Sequence, residues 1–457
     1  MLDKYIVALI GLMIFFKSSF FDGNLIPAIN IGGTGSLGIY DIVFLFLTLV
    51  AIVKFTTVHN KALKYTVYNK LYLMFILLGI VGVINAVYTG TGFHLAAKEA
   101  RDFFLYLIYF YILLLGCNEK NILKLTKYIV VLGVITSIFS VLQAVAGDRI
   151  AFLFGKVITL RTAGSEVEGV TRVASGGLAT INLAFFICLA SLTKSIKRKT
   201  LVAFLILAVG VFISFNRGTW LSIILALIAL LPFVEGKVRL KFIKVFSVIS
   251  IIAVLIITAS YSGALGTKLS RYGDAVVERF ISFLPSNLKD DGSTMDRVAE
   301  TEIVFNKFKS RPVFGHGIGA ITQENVGPEQ VSWGYVHNGY MYILFKLGIT
   351  GLVVFLLFYL LFVYRAVLGF KKIAEPKFKS IYLGSLLFLI SIIPHSIASP
   401  RIMEGKYIVI ITIAMGLIEL IRYYSMSHLH DNDDNSNRAN ADDLFSKKIG
   451  FSQPKLR

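Results

Sequence analysis

Charged residues are scarce in this chain. Asp, Glu, Lys and Arg make up 16% of its 457 residues, while 56% are hydrophobic. An average soluble domain holds about 25% charged residues. One large soluble core is therefore excluded, and the excess apolar surface belongs in a bilayer. Acidic residues are the scarcer sign, 27 against 46 basic, for a net charge of +19. A nucleic-acid partner is excluded all the same, because no basic face or folded module is present to carry one. The basic residues fall in short runs between apolar segments, such as "KSIKRK" (194–199) and "KVRLKFIK" (237–244). Runs of that kind suit cytoplasmic loops lying on anionic lipid.

Cysteine is almost absent. Cys117 and Cys188 fall at or inside apolar segments, and two thiols form neither a metal cluster nor a disulfide framework. No Asp-rich metal motif occurs between the apolar segments; "KDD" (289–291) is too sparse. No metal and no cofactor are expected. Mid-span charge is lacking as well. Proton- and ion-coupled transporters carry acidic or His residues at the midplane. Here the clearest mid-span charge is Lys346, with Asp41, Asp102, Glu404 and Glu419 near span ends. The N-terminal "MLDKYIVALIGLMIFF" lacks a small-residue cleavage site and reads as an uncleaved first span. No repeat of 20–50 residues is visible, which excludes a solenoid.

What the chain does have is apolar runs. Helical spans are predicted near 4–21, 39–54, 71–88, 102–116, 128–146, 176–193, 201–216, 218–234, 245–263, 338–364, 380–397 and 406–421. The expected fold is all-α, a polytopic membrane protein of about twelve transmembrane helices. With the N-terminus inside, the cytoplasmic short loops hold 20 Lys and Arg in 59 positions, and the opposite ones 7 in 67. That bias places both termini in the cytoplasm and residues 264–337 on the outer face. The outer loop should hold two helices. "AVVERFISFL" (275–284) is amphipathic, and "STMDRVAETEIVFNKFKS" (293–310) opens on a capping signal. The chain divides into N-terminal spans (1–200), a core with the outer loop (201–365), C-terminal spans (366–422) and a polar, disordered tail (423–457).

Arg217 is the sharpest candidate for chemistry. The run 201–233 is apolar except at Ser214–Thr219. As one helix it would reach about 50 Å, against a hydrocarbon core of about 30 Å, so it must break. Gly218 supplies the break and holds Arg217 at headgroup level. Two readings stand: an Arg that snorkels to the interface, or a fixed guanidinium fork awaiting phosphate oxygens. Arg297, at the start of the second loop helix, is either solvated or a second phosphate contact. "SRPVFGHGIGA" (310–320) reads as a sharply turning backbone and only weakly as an anion nest, with His316 incidental to it. "HNGYMYILFKLGITG" (337–351) sets His337 and Asn338 at the mouth of a span. His337 there is a capping or packing residue, or a base beside a lipid-borne substrate.

Taken in order, "FNRGTWLS", "DRVAETEIVFNKFKSRPVFGHGIGA" and "HNGYMYILFKLGITG" resemble the O-antigen ligase and O-antigen polymerase superfamily of polytopic glycosyltransferases. The likeness covers about residues 200–355. It implies a C-type glycosyltransferase-like fold with one long helical outer loop, in a bacterial cytoplasmic membrane. The implied donor is a glycan on undecaprenyl diphosphate at the outer leaflet, and the implied acceptor a sugar hydroxyl. By position, Arg217 and Arg297 would hold the diphosphate, with Gly218 at the turn. His337 would assist the acceptor hydroxyl or the leaving group, and Asn338 would orient the site. Two positions depart from the pattern. Asn216 replaces a common Ser, and Lys346 stands where an acidic or polar residue is frequent. The expected activity is polymerisation of a surface polysaccharide, with ligation to a lipid A-core as the alternative. Partners would be donor, acceptor and membrane lipids, with a chain-length regulator and a flippase as candidates. A flippase or exporter, and a scaffolding protein, are the rivals of other classes.

Overall fold

The computed structural model describes residues 2–18, 29–30, 36–57, 67–116, 118–146, 157–162, 165–173, 176–233, 236, 239–240, 292–321 and 334–426. The predicted ninth span, the loop helix at 275–284, Cys117 and the tail beyond 426 lie outside these residues. The chain begins with α1 (Leu2–Ser18), a small hairpin of β1 (Ile29–Asn30) and β2 (Ser36–Leu37), and α2 (Ile39–Thr57). Next come α3 (Val67–Tyr88), α4 (Phe93–Phe103), α5 (Ile108–Leu113) and α6 (Glu119–Ala146). A second antiparallel hairpin, β3 (Val157–Thr162) and β4 (Ser165–Val173), precedes α7 (Leu178–Lys194), α8 (Arg198–Ile213) and α9 (Arg217–Leu230). The described chain closes with α10 (Gly292–Ser310), α11 (Gly339–Gly369), α12 (Pro376–Ala398) and α13 (Gly405–Met426).

Among the described residues six helices are long and apolar enough to cross a membrane: α2, α3, α6, α11, α12 and α13. These fit a polytopic membrane protein, and the described residues do not confirm the expected count of about twelve. The apolar runs at 176–193, 201–216 and 218–234 become helices of 17, 16 and 14 residues. At 1.5 Å per residue these reach about 21–26 Å, short of the roughly 30 Å hydrocarbon core. The fold is also not purely α. The second hairpin falls in 147–175, which hydropathy alone leaves as a loop; "VITLRT" is rich in β-branched residues, and "AG" at 163–164 follows it. Burial orders the spans. A window of α2 is 22% buried within the protein, against 72% in both α12 and α13, so α2 is peripheral and the last two spans are central.

Aromatic packing ties α3, α4, α5 and α11 together. Tyr72 and Phe75 of α3 meet Phe358 and Phe355 of α11 with ring centroids 4.9 and 5.4 Å apart. Tyr106, between α4 and α5, packs on Phe75 at 5.5 Å, and its hydroxyl donates to the carbonyl of Ile402 at 2.5 Å. Lipid supplies no hydrophobic drive between helices, so such packing and buried hydrogen bonds hold the bundle.

The predicted fourth span, 102–116, is replaced by α4 and α5, joined by a 3₁₀ turn at Phe104–Leu107. Residues 93–101, expected as loop, are helical because "FHLAAKEARDF" buries Ala96, Ala100 and Phe103 on one face. The opposite face carries charge to the bundle mouth. Arg101 pairs with Asp41 at 2.9 Å, and Asp102 with Lys17 at 2.6 Å.

α11 is broken at Gly348, whose φ is 69° and ψ −170°. A break exposes helix carbonyls and amides that lipid cannot satisfy. The turn at 312–320 repairs it. His316 and Gly317 donate their backbone N–H groups to the carbonyls of Phe345 and Lys346 at 2.8 and 2.9 Å. Ile349 and Thr350 in turn donate to the carbonyls of Pro312 and Val313 at 2.9 and 3.3 Å. The glycine-rich turn is thus stitched into the helix rather than left as a nest for a ligand. Among the described residues, its one N–H to an anion goes to an internal carboxylate: Gly319 donates to Glu99 at 2.8 Å. His316 belongs to this packing. Its ring stacks on Phe345 at 5.0 Å, and Nε2–H donates to the Lys307 carbonyl at 2.8 Å. Burial, ahead of nearby cations, lowers its pKa and keeps it neutral.

Candidate functional site

The starts of α9 and α11, the end of α12 and the connection to α13 meet at one end of the bundle, with α10 beside them. At α9, Asn216 is the N-cap and its side chain accepts from the Thr219 N–H at 3.1 Å. This local bond fixes Arg217 as the first helical residue, where the helix's positive end favours anions. The preceding residue, Phe215, is buried with φ 45°, a left-handed conformation rare for a bulky side chain. Residues held this way cost about 1–3 kcal/mol and cluster at functional sites. Arg217 is half-buried. Gly218 lies inside α9 and does not supply the break, which falls at Ser214–Asn216; a Cβ at Gly218 would lie 3.1 Å from Cδ2 of His395, a tight approach.

His395, in the last turn of α12, is buried and was not singled out in the sequence. Thr219 Oγ1 approaches its Nε2 at 3.4 Å, and Arg401 donates Nε–H to the same nitrogen at 3.1 Å. Guanidinium only donates, so Nε2 is an acceptor and the ring hydrogen resides on Nδ1. Arg401, buried in the connection between α12 and α13, pairs with both oxygens of Glu404 at 3.0 and 2.7 Å. Burial works against the Glu404 charge. The Arg401 guanidinium, Lys406 and the Tyr335 hydroxyl outweigh it and hold the carboxyl below its ordinary range. The Tyr335 hydroxyl donates to Glu404 at 2.9 Å.

From Tyr335 the path reaches His337. The two rings meet edge to face with centroids 5.1 Å apart. Glu300 of α10 takes both N–H groups of this histidine on one oxygen, the backbone amide at 3.0 Å and ring Nδ1 at 2.9 Å. Asn338 caps α11, its side chain accepting from Tyr340 and Met341 N–H at 3.0 and 3.2 Å. Its geometry here is that of a helix cap, which sets the direction in which His337 enters. Arg297 lies one turn before Glu300 on α10 and is half-buried.

All five residues expected from the sequence therefore sit on elements that share this mouth. Thr219, two residues after Arg217, connects through His395, Arg401 and Glu404 to Tyr335, whose ring meets that of His337, while Arg297 shares a helix with Glu300. Chemically the mouth offers a helix N-terminus with an Arg, a second Arg on a loop helix, and an imidazole oriented by a carboxylate. Those groups suit an anionic leaving group beside a hydroxyl nucleophile. Among the described residues, no group of three or more His, Cys, Asp or Glu is arranged to hold a metal ion.

Residues 202–356, from α8 through the first half of α11, match the family model described as O-antigen ligase. That match covers about a third of the chain and makes this stretch similar to the O-antigen ligase family, in line with the resemblance its motifs carry. No curated protein matches the chain.

Proposed function

We propose that this protein polymerises a surface polysaccharide on the outer face of a bacterial cytoplasmic membrane. It takes the growing glycan from undecaprenyl diphosphate and passes it to a sugar hydroxyl of the next unit. The observation that carries the reading is the oriented His337 at a mouth that also receives the Arg217 helix start, both within the matched stretch.

The step needs little covalent help, because diphosphate is already a good leaving group. The acceptor oxygen attacks the anomeric carbon and its proton passes to His337 Nε2. The anomeric C–O bond to diphosphate breaks, and its electron pair leaves on the phosphate oxygen. Arg217, with the N–H groups of the α9 start, and Arg297 would stabilise that charge as it develops. A positioned base of this kind contributes typically 10²–10⁴-fold. No metal is required by this scheme. Ligation to a lipid A-core uses the same chemistry with another acceptor.

The test is purified protein in nanodiscs with a synthetic polyprenyl-diphosphate glycan and two acceptors, a second lipid-linked unit and a lipid A-core. A ladder of lengthened glycans on the first acceptor is expected. A single addition to the lipid A-core alone would make it a ligase. Donor carried across a vesicle membrane without any new glycosidic bond would instead make it a flippase.

A further inference from the structure

We infer that Glu300 is the positioning residue for His337, fixing its tautomer and balancing the charge that the imidazole acquires during transfer. This rests on the proposed role of His337 as proton acceptor.

The geometry is specific. One carboxylate oxygen, Oε2, accepts from both the backbone N–H and the ring of the same histidine. A single acceptor shared in that way ties the ring's rotation to the backbone. The Tyr335 ring, set at 88° to the imidazole, closes off another side. A carboxylate cannot donate, so the ring hydrogen must lie on Nδ1 and the lone pair on Nε2. Nε2 is then the atom that takes the acceptor's proton.

Charge follows the same logic. The Glu300 side chain is 15% exposed and that of His337 35%. Its other oxygen, Oε1, is buried and has no hydrogen-bond partner among the described residues. A carboxylate kept partly from water gains most from a positive neighbour, and imidazolium formed at His337 is that neighbour. The other titratable groups around the ring are Tyr335 and, one contact further, the Arg401–Glu404 pair; Arg297 shares α10 with Glu300. Arg401 is already matched by Glu404. Among the described residues, Glu300 is the carboxylate that touches the ring.

The experiment measures kcat and KM for transfer in the wild type and in Glu300→Gln, which keeps the acceptor oxygen but not the charge. We expect kcat to fall about 10- to 100-fold, within the range a general base supplies, with donor KM changed less than about twofold. Glu300→Asp, which keeps the charge, should retain most of the wild-type kcat. Wild-type kcat in Glu300→Gln would overturn the inference. So would equal losses in the Gln and Asp variants, the result for a purely structural residue. A measurement on intact protein covers failure of either variant to fold. Nitrogen NMR of labelled histidines, with His337→Ala identifying the signal, should give the Nδ1–H tautomer; Nε2–H would overturn it. Wild-type protein that transfers nothing would sink the proposed function instead, and the tautomer measurement would still judge the pair.

Discussion

The Lys346 ammonium lies 2.7 Å from the Glu99 carboxylate, 247 residues away in the chain. Lys346 is fully buried, and it also donates to the Ala320 carbonyl at 2.5 Å. Glu99 is shared further with the Gly319 N–H and, at 2.5 Å, the Tyr342 hydroxyl. The mid-span charge is thus a clasp that joins α4, the glycine-rich turn and the upper half of α11.

Breaking one side of that clasp should be worse than removing both. Lys346→Met leaves a largely buried carboxylate unpaired, a loss of about 3–5 kcal/mol for a pair of this kind. Adding Glu99→Gln should restore much of it. Thermal unfolding of the single and double variants in detergent checks this, together with donor binding, which folded Lys346→Met should retain. A double variant no more stable than the single would contradict the clasp.

Gly317 tests the repair of the broken helix. Its φ is 94°, and a Cβ there would run into the backbone of Ala86 on α3. Gly317→Ala should therefore lose more stability than the roughly 1 kcal/mol typical of a point substitution, and disturb the hydrogen bonds to α11. Hydrogen exchange at residues 345–350 should rise. Unchanged protection there would mean the turn is not what stabilises the break at Gly348.

Glu404 carries a pH signature. Its folded carboxyl is held below the ordinary value, so the stability it contributes is present above the unfolded pKa of about 4.3 and is lost as pH falls through the lower folded value. Melting temperature should drop over that acidic window in the wild type and drop less in Glu404→Gln. The variant should be less stable at neutral pH, because Arg401 is then buried without its partner. Tyr335→Phe removes one hydrogen bond at an exposed site and should cost at most about 1 kcal/mol. Parallel acid profiles for wild type and Glu404→Gln would remove this carboxyl from the pH response.

Local pattern made some of this legible in the sequence, and long-range pairing hid the rest. The break before Arg217 followed from an apolar run too long for one span. The helix over 293–310 followed from side-chain type and spacing, whereas the capping role considered for His337 falls to its neighbour Asn338. Glu300 carried a signal, since it lies three residues after Arg297 on a helix, but its partner lies 37 residues on. Glu99 lay in a charged stretch that passed for loop, although Ala96, Ala100 and Phe103 already marked an amphipathic helix. His395 and Arg401 are single polar residues at the end of an apolar run, and only packing against α9 reveals their use. The kink at Gly348 is invisible to hydropathy, because both halves of α11 are equally apolar.

The most direct test of the central claim is single-turnover transfer from a synthetic polyprenyl-diphosphate glycan, at matched levels of wild type, Arg217→Lys and Arg217→Ala, with a metal chelator present. If Arg217 grips the diphosphate through paired N–H groups, Lys keeps the charge but loses the fork, and the rate should fall substantially. Ala should fall further, by about 10- to 150-fold for a charge-assisted contact of about 1.5–3 kcal/mol. The loss should appear mainly in the chemical step, because the contact strengthens as the leaving group departs. Wild-type rates in both variants would reduce Arg217 to a membrane anchor and contradict the account, and a wild-type reaction abolished by the chelator would contradict its metal-free chemistry.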